Sequence, residues 1–244
     1  MPDSLSSFVG KLSDCGYCGA NVTLPYKEQA LTLCDWTSDL ARRLGAVNTL
    51  WFEDGRLHGD NTDVDGFLAN LDEQARGWDL NCKRAIVLGA GGAARAVLAG
   101  LAAREIESVT LLNRSLDRAR QLADEASGWG FRQVRADSLD PAGLGLSEAD
   151  LLINTTSLGM EGQPRLDLDL SRFPEDAVVC DIVYTPLETE LLKNARMRRL
   201  RTSSGLGMLL HQAVPGFEHW FGLKPEVTKE LRTMIEADIK RDKK

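Results

Sequence analysis

The sequence predicts an α/β protein of two linked domains, one of them built on a doubly wound parallel sheet. Three observations predict it. From Lys83 onward, short apolar β-rich runs alternate with longer helical ones, the order of right-handed βαβ crossovers. Before Lys83 that order gives way to a hairpin flanked by helices. The 244 residues, 43% of them hydrophobic, lie at the upper limit of what one core organises, which favours two domains.

Each element carries its own signal. Leu5, Phe8, Val9 and Leu12 recur at helical spacing, and Gly16 closes that helix. GANVTL (19–24) reads as a strand, and Pro25 suits the first turn of a helix through Lys27, Ala30 and Leu31. AVNTLWFE (46–53) and RLHGD (56–60) flank Asp54-Gly55, a strong hairpin signal. Thr62 to Leu71 reads as a helix bridging to the second domain. There the strands are RAIVLG (84–89), SVTLLN (108–113), FRQVRA (131–136), DLLIN (150–154) and AVVCDIV (177–183), with helices opening at Gly92 and Leu116. Two further helices follow Gly205, one from Leu206 to Phe221 and one from Pro225 to the end. The last carries Val227, Leu231, Met234, Ile235 and Ile239 on one stripe, so it is expected to pack, back against the first domain.

Charge and cysteine usage exclude several classes. With 36 acidic residues against 29 basic ones the formal charge is −7, which repels nucleic acid and anionic membrane unless basic residues cluster. The Arg196, Arg198, Arg199, Arg201 group is short, and the tail from Lys240 reads as a solvated helix end. The opening MPDSLSSFVG has neither a basic start nor a long apolar run, so a cytoplasmic protein is expected. Five cysteines without an export signal read as reduced thiols. Cys15 and Cys18 follow a helix end instead of opening a helix, so they lack the setting that activates a redox pair. No metal site is expected, since Cys34, Cys82, Cys180, His58, His211 and His219 show no paired spacing.

Gly89-Ala90-Gly91-Gly92-Ala93-Ala94 directly follows a predicted strand and opens an alanine-rich helix, the setting of a Rossmann-type dinucleotide site. Gly89 permits the tight turn, Gly91 lets the backbone approach a pyrophosphate, and Ala94 keeps helix and strand close. The helix N-terminus offers N–H groups to the phosphates. The next strand ends in Asn113-Arg114-Ser115, where an NAD enzyme would carry an acid for the ribose hydroxyls. An arginine there suits a 2′-phosphate, with Arg118 one helical turn on, so NADP is the expected cofactor. Ser115 also reads as a helix N-cap and Arg118 as a solvated helix residue.

The string Asn21-Val-Thr23-Leu-Pro25-Tyr-Lys27 resembles the signature of the shikimate dehydrogenase family. It is followed in the family's order by Ala46-Val-Asn48-Thr49, Gly59-Asp-Asn61-Thr62-Asp63, the glycine loop, Asn113-Arg114-Ser115, Asn154-Thr-Thr-Ser-Leu-Gly159-Met160, Asp181-Ile-Val-Tyr184-Thr-Pro186 and Gly205-Leu-Gly-Met208-Leu-Leu-His-Gln212. The resemblance covers essentially the whole chain. It implies residues 1–70 as a smaller α/β substrate domain, 71–205 as an NADP-binding domain and 206–244 as helices returning to the first. It implies Lys27 as the catalytic lysine and Asp63 as its partner. Thr23, Asn48 and Gln212 would hold the hydroxyls of a cyclohexene carboxylate. Tyr184 would be shared with the nicotinamide side, and Ile182, Gly205 and, more weakly, Asp39 would line the cofactor.

The chemistry asks for these types on its own account. Reducing a ketone by hydride leaves an alkoxide that must be protonated as it forms, and a lysine beside a carboxylate can do that and reverse it. Taken singly, Lys27 reads as a surface helix lysine, Asp63 as a helix N-terminal acid, Asn48 as a turn cap, Thr23 as ordinary strand and Gln212 as an exposed helix residue. Their joint occurrence overturns those readings.

The family pattern also includes an opening strand and helix with a Ser-x-Ser pair for the substrate carboxylate, which Ser4-Leu-Ser6 does not match. The substrate domain is therefore expected to be N-terminally truncated, through a deletion or an internal start. It should lack a strand in the middle of its sheet, expose edge and core, and tend to associate, a homodimer being the candidate assembly. The leading functional expectation is reversible reduction of 3-dehydroshikimate to shikimate with NADPH. The alternatives are a quinate/shikimate dehydrogenase of broader specificity and a non-catalytic NADP-binding paralogue with a disabled pocket.

Overall fold

The computed structural model describes residues 5–23, 25–139 and 149–241. Leu24, Ser4 and the last three residues lie outside it, and with them parts of the expected first strand, the Ser-Leu-Ser string and the basic tail. In chain order the elements are α1 (Leu5–Leu12), β1 (Gly19–Asn21), α2 (Lys27–Leu33), β2 (Trp36–Thr37), α3 (Asp39–Leu44), β3 (Thr49–Glu53), β4 (Arg56–Asp60) and α4 (Asp63–Gln74). Next come β5 (Arg84–Leu88), α5 (Gly92–Ala103), β6 (Ser108–Asn113), α6 (Leu116–Ala126), β7 (Gln133–Ser138), β8 (Leu151–Asn154), β9 (Val178–Asp181), α7 (Glu190–Met197), β10 (Arg201–Ser204), α8 (Gly205–Phe221) and α9 (Lys229–Arg241).

β5 to β10 form a parallel sheet in the order β10-β9-β8-β5-β6-β7, the doubly wound arrangement with its switch point between β5 and β8. Both faces are covered. Phe67, Leu71, Leu98, Leu101 and Leu122 from α4, α5 and α6 fill one core, and Leu166, Leu168, Phe173, Leu191 and Leu192 fill the other. Ala94 is fully buried, as a close approach of α5 to the sheet requires.

The first sheet runs β1-β3-β4-β2, with β3 and β4 joined through Asp54 and Gly55 at φ 50 and 73, the left-handed pair that a two-residue hairpin turn needs. Its four strands pair without a gap, so the expectation of a strand missing from the middle is corrected: among the described residues the edges without a partner strand are the outer sides of β1 and of the two-residue β2. α1 and α2 cover one face, where Val9, Leu12, Ala30, Val47, Leu50 and Leu57 form a core.

Several boundaries differ from expectation. β1 ends at Asn21, and Pro25 stands before the N-cap residue Tyr26, outside the first turn of α2. α9 starts at Lys229, and no residue of it is buried; Leu231, Ile235 and Ile239 are half-covered and Met234 is exposed. α8 is the helix that reaches the first sheet, where the Trp220 indole donates to the Leu50 carbonyl at 2.8 Å. α9 is tied instead to α4, through Arg232 to Glu73 at 2.7 Å.

Candidate active site

A cleft of about 680 Å³ opens between the end of the first sheet and the carboxyl ends of β8 and β9. One wall carries Thr23, Lys27, Asp63 and Gln212; the other carries Ala93, Thr155, Thr156, Ile182, Tyr184 and Gly205. Its charged lining side chains, among the described residues, are Lys27 and Asp63.

Lys27 opens α2, and its carbonyl accepts the Val47 N–H at 2.9 Å, which pins the start of that helix to the segment before β3. Asp63 opens α4, where the helix N-terminus favours a carboxylate, and its own N–H donates to the Asn61 side chain at 3.1 Å. From these two starts the Lys27 Nζ and Asp63 Oδ2 meet at 2.6 Å across 36 residues of chain, with side chains only 22% and 13% exposed.

Asn48 explains why Asp63 holds its place. Its Nδ2 donates to Asp63 Oδ1 at 2.8 Å and to Gln212 Oε1 at 3.1 Å. Its Oδ1 accepts from the Thr62 N–H at 2.8 Å and the Thr49 hydroxyl at 3.0 Å. The side chain is 1% exposed and does not line the cleft, so both amide protons are committed inside the protein. Thr62 adds a second tie, donating its hydroxyl to the Gln212 carbonyl at 2.7 Å. Asp63, Asn48, Thr62 and Gln212 are therefore one connected network linking β3, α4 and α8.

On the other wall, the glycine loop follows β5. Gly89 sits at φ +108, and a Cβ there would lie 2.6 Å from the Thr155 hydroxyl. Gly91 and Gly92 differ: a Cβ at either would meet nothing within 4 Å, so no protein atom demands glycine there. Open backbone at the mouth of a helix is what a phosphate group requires. Gly205 is glycine for packing, since a Cβ would overlap the Ile182 carbonyl. Arg114, Ser115 and Arg118 are exposed at the tip of β6 and the start of α6; the Ser115 side chain makes no capping bond, while Asn113 Nδ2 donates to the Ser115 carbonyl at 2.9 Å. Arg118 also faces Ala90 of the loop across a smaller hollow of about 200 Å³. Donor-rich open backbone beside two arginines fits a phosphorylated dinucleotide.

The structure thus brings Thr23, Lys27, Asp63, Tyr184, Gln212, Ile182, Gly205 and Ala93 to one cleft, with Asn48 directly behind it. Asp39 is not among the lining residues; it is exposed on α3 and paired with Arg42. The sequence assigns no role to Asn21, whose amide donates to Thr49 at 3.2 Å, or to the lining residues Thr155, Ser157 and Leu209, although all four stand in the motif strings. The Asn154-to-Met160 string is the signal for Thr155 and Ser157, but the resemblance attaches no role to either.

Comparison with known proteins agrees with this geometry. Three family profiles match in chain order: one described as shikimate dehydrogenase substrate binding domain over residues 1–50, one as shikimate / quinate 5-dehydrogenase over 70–161, and one as shikimate 5′-dehydrogenase C-terminal domain over 205–229. The shikimate dehydrogenase (NADP(+)) of Rhodopseudomonas palustris strain HaA2 is 57% identical over 238 residues, covering 98% of this chain and 83% of the relative. Among solved structures, shikimate 5-dehydrogenase from Thermus thermophilus in complex with NADP(H) and shikimate is 38% identical with a TM-score of 0.78, covering 98% of this chain and 85% of that one. Quinate dehydrogenase from Corynebacterium glutamicum in complex with NAD is 34% identical with a TM-score of 0.84, covering 95% and 82%.

Proposed function

The chain belongs to the shikimate dehydrogenase family, and we propose that it is an NADP-dependent oxidoreductase that reversibly reduces 3-dehydroshikimate to shikimate, on the route to chorismate and the aromatic amino acids. The observation that carries this reading is the 2.6 Å Lys27–Asp63 contact on a cleft wall facing the glycine-loop domain. When bound, the dinucleotide supplies the hydride. Lys27 does the rest of the proton work: its N–H bond breaks as the O–H bond forms on the carbonyl oxygen, and the reverse happens when the alcohol is oxidised. Asp63 holds Lys27 toward that oxygen. We assign Thr23 and Gln212 to the ring hydroxyls, with Asn48 acting from behind by fixing Asp63 and Gln212. Tyr184 is assigned to the junction of substrate and nicotinamide, the glycine loop to the pyrophosphate, and Arg114 with Ser115 and Arg118 to the 2′-phosphate. The cytoplasm is the proposed location, and the unpaired outer side of β1 is the candidate contact of a homodimer.

A quinate-accepting activity is the second reading, favoured by the likeness to the Corynebacterium enzyme. NADP-linked absorbance change with shikimate and with quinate separates the two. Binding of NADP with turnover of neither would leave a non-catalytic paralogue and end the enzyme reading.

A further inference from the structure

One buried carboxylate takes no part in the chemistry above. Asp181, at the end of β9, is 0% exposed and stands in register with Asn154 at the end of β8. Its Oδ1 accepts from Asn154 Nδ2 at 2.9 Å and from the Val183 N–H at 3.1 Å, and its Oδ2 accepts the Thr189 hydroxyl at 2.7 Å. Burial pushes this carboxyl up, against the pull of those three donors. Each donor belongs to a different segment: the end of β8, the loop after β9 and the start of α7. Asn154 Oδ1 in turn accepts the Thr156 N–H and hydroxyl at 3.0 and 2.7 Å, while its Nδ2 also donates to the Leu158 carbonyl at 3.1 Å, which shapes the loop after β8. Val183 begins the loop that presents Tyr184. Thr189 caps α7 by accepting the Leu192 N–H, so it fixes where that loop ends. The Glu161 N–H donates to the Thr185 carbonyl at 2.9 Å and joins the two loops.

In a doubly wound sheet a dinucleotide lies across the switch point, with its two halves over opposite sides of the first strand. Arg114 marks the β6 side for the adenosine half, which leaves the β8–β9 side for the nicotinamide half. We propose that Asp181 is a positioning residue for that half: by gathering Asn154, Val183 and Thr189 it sets the two loops carrying Thr155, Thr156 and Tyr184 against the nicotinamide. The inference rests on the NADP-dependent reading above. A carboxylate suits the post because it accepts from three donors at once, whereas an amide would turn a donor toward one of them.

The test compares Asp181→Asn with the parent protein in three measurements: steady-state kinetics with NADP and shikimate, binding of adenosine 2′,5′-bisphosphate, and thermal unfolding. The bisphosphate probes the adenosine half alone. The expected result is a fall in kcat/KM for NADP of about 10- to 100-fold, as small misplacements of reacting groups produce, with bisphosphate binding unchanged. Parent-like kinetics in the variant would overturn the proposal. So would a parallel loss of bisphosphate binding, since it would make Asp181 a support of the whole domain. If Asp181→Asn does not fold, Thr189→Val takes its place: a higher KM for NADP with unchanged bisphosphate binding supports the role, and an unchanged KM overturns it. A parent that binds the bisphosphate and turns over keeps the NADP reading whichever way the variants fall; a parent that does neither removes that reading first.

Discussion

A Cβ added to Gly66 on α4 would stand 2.7 Å from the Cβ of Gln212 on α8, so the two helices meet at backbone distance where the cleft begins. The same methyl would lie 2.7 Å from the Met208 carbonyl. Neither neighbour is a flexible chain end, so Gly66→Ala must push α8 outward and carry Gln212 with it. Alanine gains about 1 kcal/mol of helix propensity over glycine, but overpacking of this kind costs about 1–3 kcal/mol, so the net change is destabilising. Urea unfolding should show the loss, and KM for shikimate should rise more than KM for NADP. A variant as stable as the parent, with unchanged kinetics, would mean that the helices separate freely.

Lys27→Ala should lower kcat by about 10²- to 10⁴-fold, the usual contribution of a positioned proton donor. Because Lys27 lies on the wall opposite the glycine loop, NADP binding should be retained, which fluorescence titration can measure. A variant that keeps more than a tenth of parental kcat would remove Lys27 from the proton step.

Much of this was legible beforehand because it depends on residue type at fixed spacing. A glycine after a strand, or a lysine and an aspartate each opening a helix, has consequences that the sequence alone carries. Burial is different: Asn48 reads the same whether its amide faces solvent or is divided between Asp63 and Gln212, as the fold divides it. Asp181 and Asn154 each head a motif string, but nothing in the sequence shows that they bond to each other, or that Thr189 joins them. The stripe on α9 showed that one face is apolar but not how much of it a neighbour covers, and the fold covers it only in part. Asp39 had no spacing argument behind it, and its exposed pair with Arg42 gives it none now.

Arg114→Asp should weaken NADP binding and leave NAD nearly unchanged. A hydrogen bond to a charged group contributes about 1.5–3 kcal/mol, so losing it corresponds to about 10- to 100-fold in affinity, with repulsion from the introduced carboxylate in addition. Affinity for the two cofactors, measured side by side, decides the matter. Equal weakening of both would place the 2′-phosphate elsewhere.

Acid should loosen the attachment of α9. Burial alone would push the Glu73 carboxyl up, but the His211 ring at 2.9 Å and the Arg232 guanidinium at 2.7 Å outweigh it and hold the carboxyl below its usual range. A depressed carboxyl contributes stability that is complete above its unfolded value, about 4.3, and is lost as pH falls through the folded one. Since Glu73 is 39% exposed, screening keeps the effect under about 1 kcal/mol. Melting temperatures between about pH 6 and 3 should therefore fall more steeply for the parent than for Glu73→Gln. Superimposable curves would show that the cluster contributes nothing.

Asn48→Asp tests the network behind the catalytic pair. The side chain keeps its shape and can still accept from Thr62 and Thr49, but it now turns an oxygen toward Asp63 Oδ1, where an N–H stood at 2.8 Å. Two carboxylates at that distance cannot both ionise cheaply, so the introduced carboxyl retains a proton to higher pH than it would in the unfolded chain. A folded-state value raised in this way makes the variant's deficit smallest below the unfolded value, about 3.9, and larger as pH rises through the folded one. With the proton present the old hydrogen bond is replaced by O–H···O and Asp63 keeps its grip on Lys27. Gln212 Oε1 has lost its donor at every pH, because a carboxyl carries one proton where the amide carried two; with that proton gone Asp63 Oδ1 loses its donor as well, at about 1–3 kcal/mol for each unsatisfied group. Relative to the parent, the variant should thus lose both stability and kcat progressively from acid to alkaline pH. A deficit of the same size at every pH would mean that Asn48 only fills space and does not tie Asp63 to Gln212.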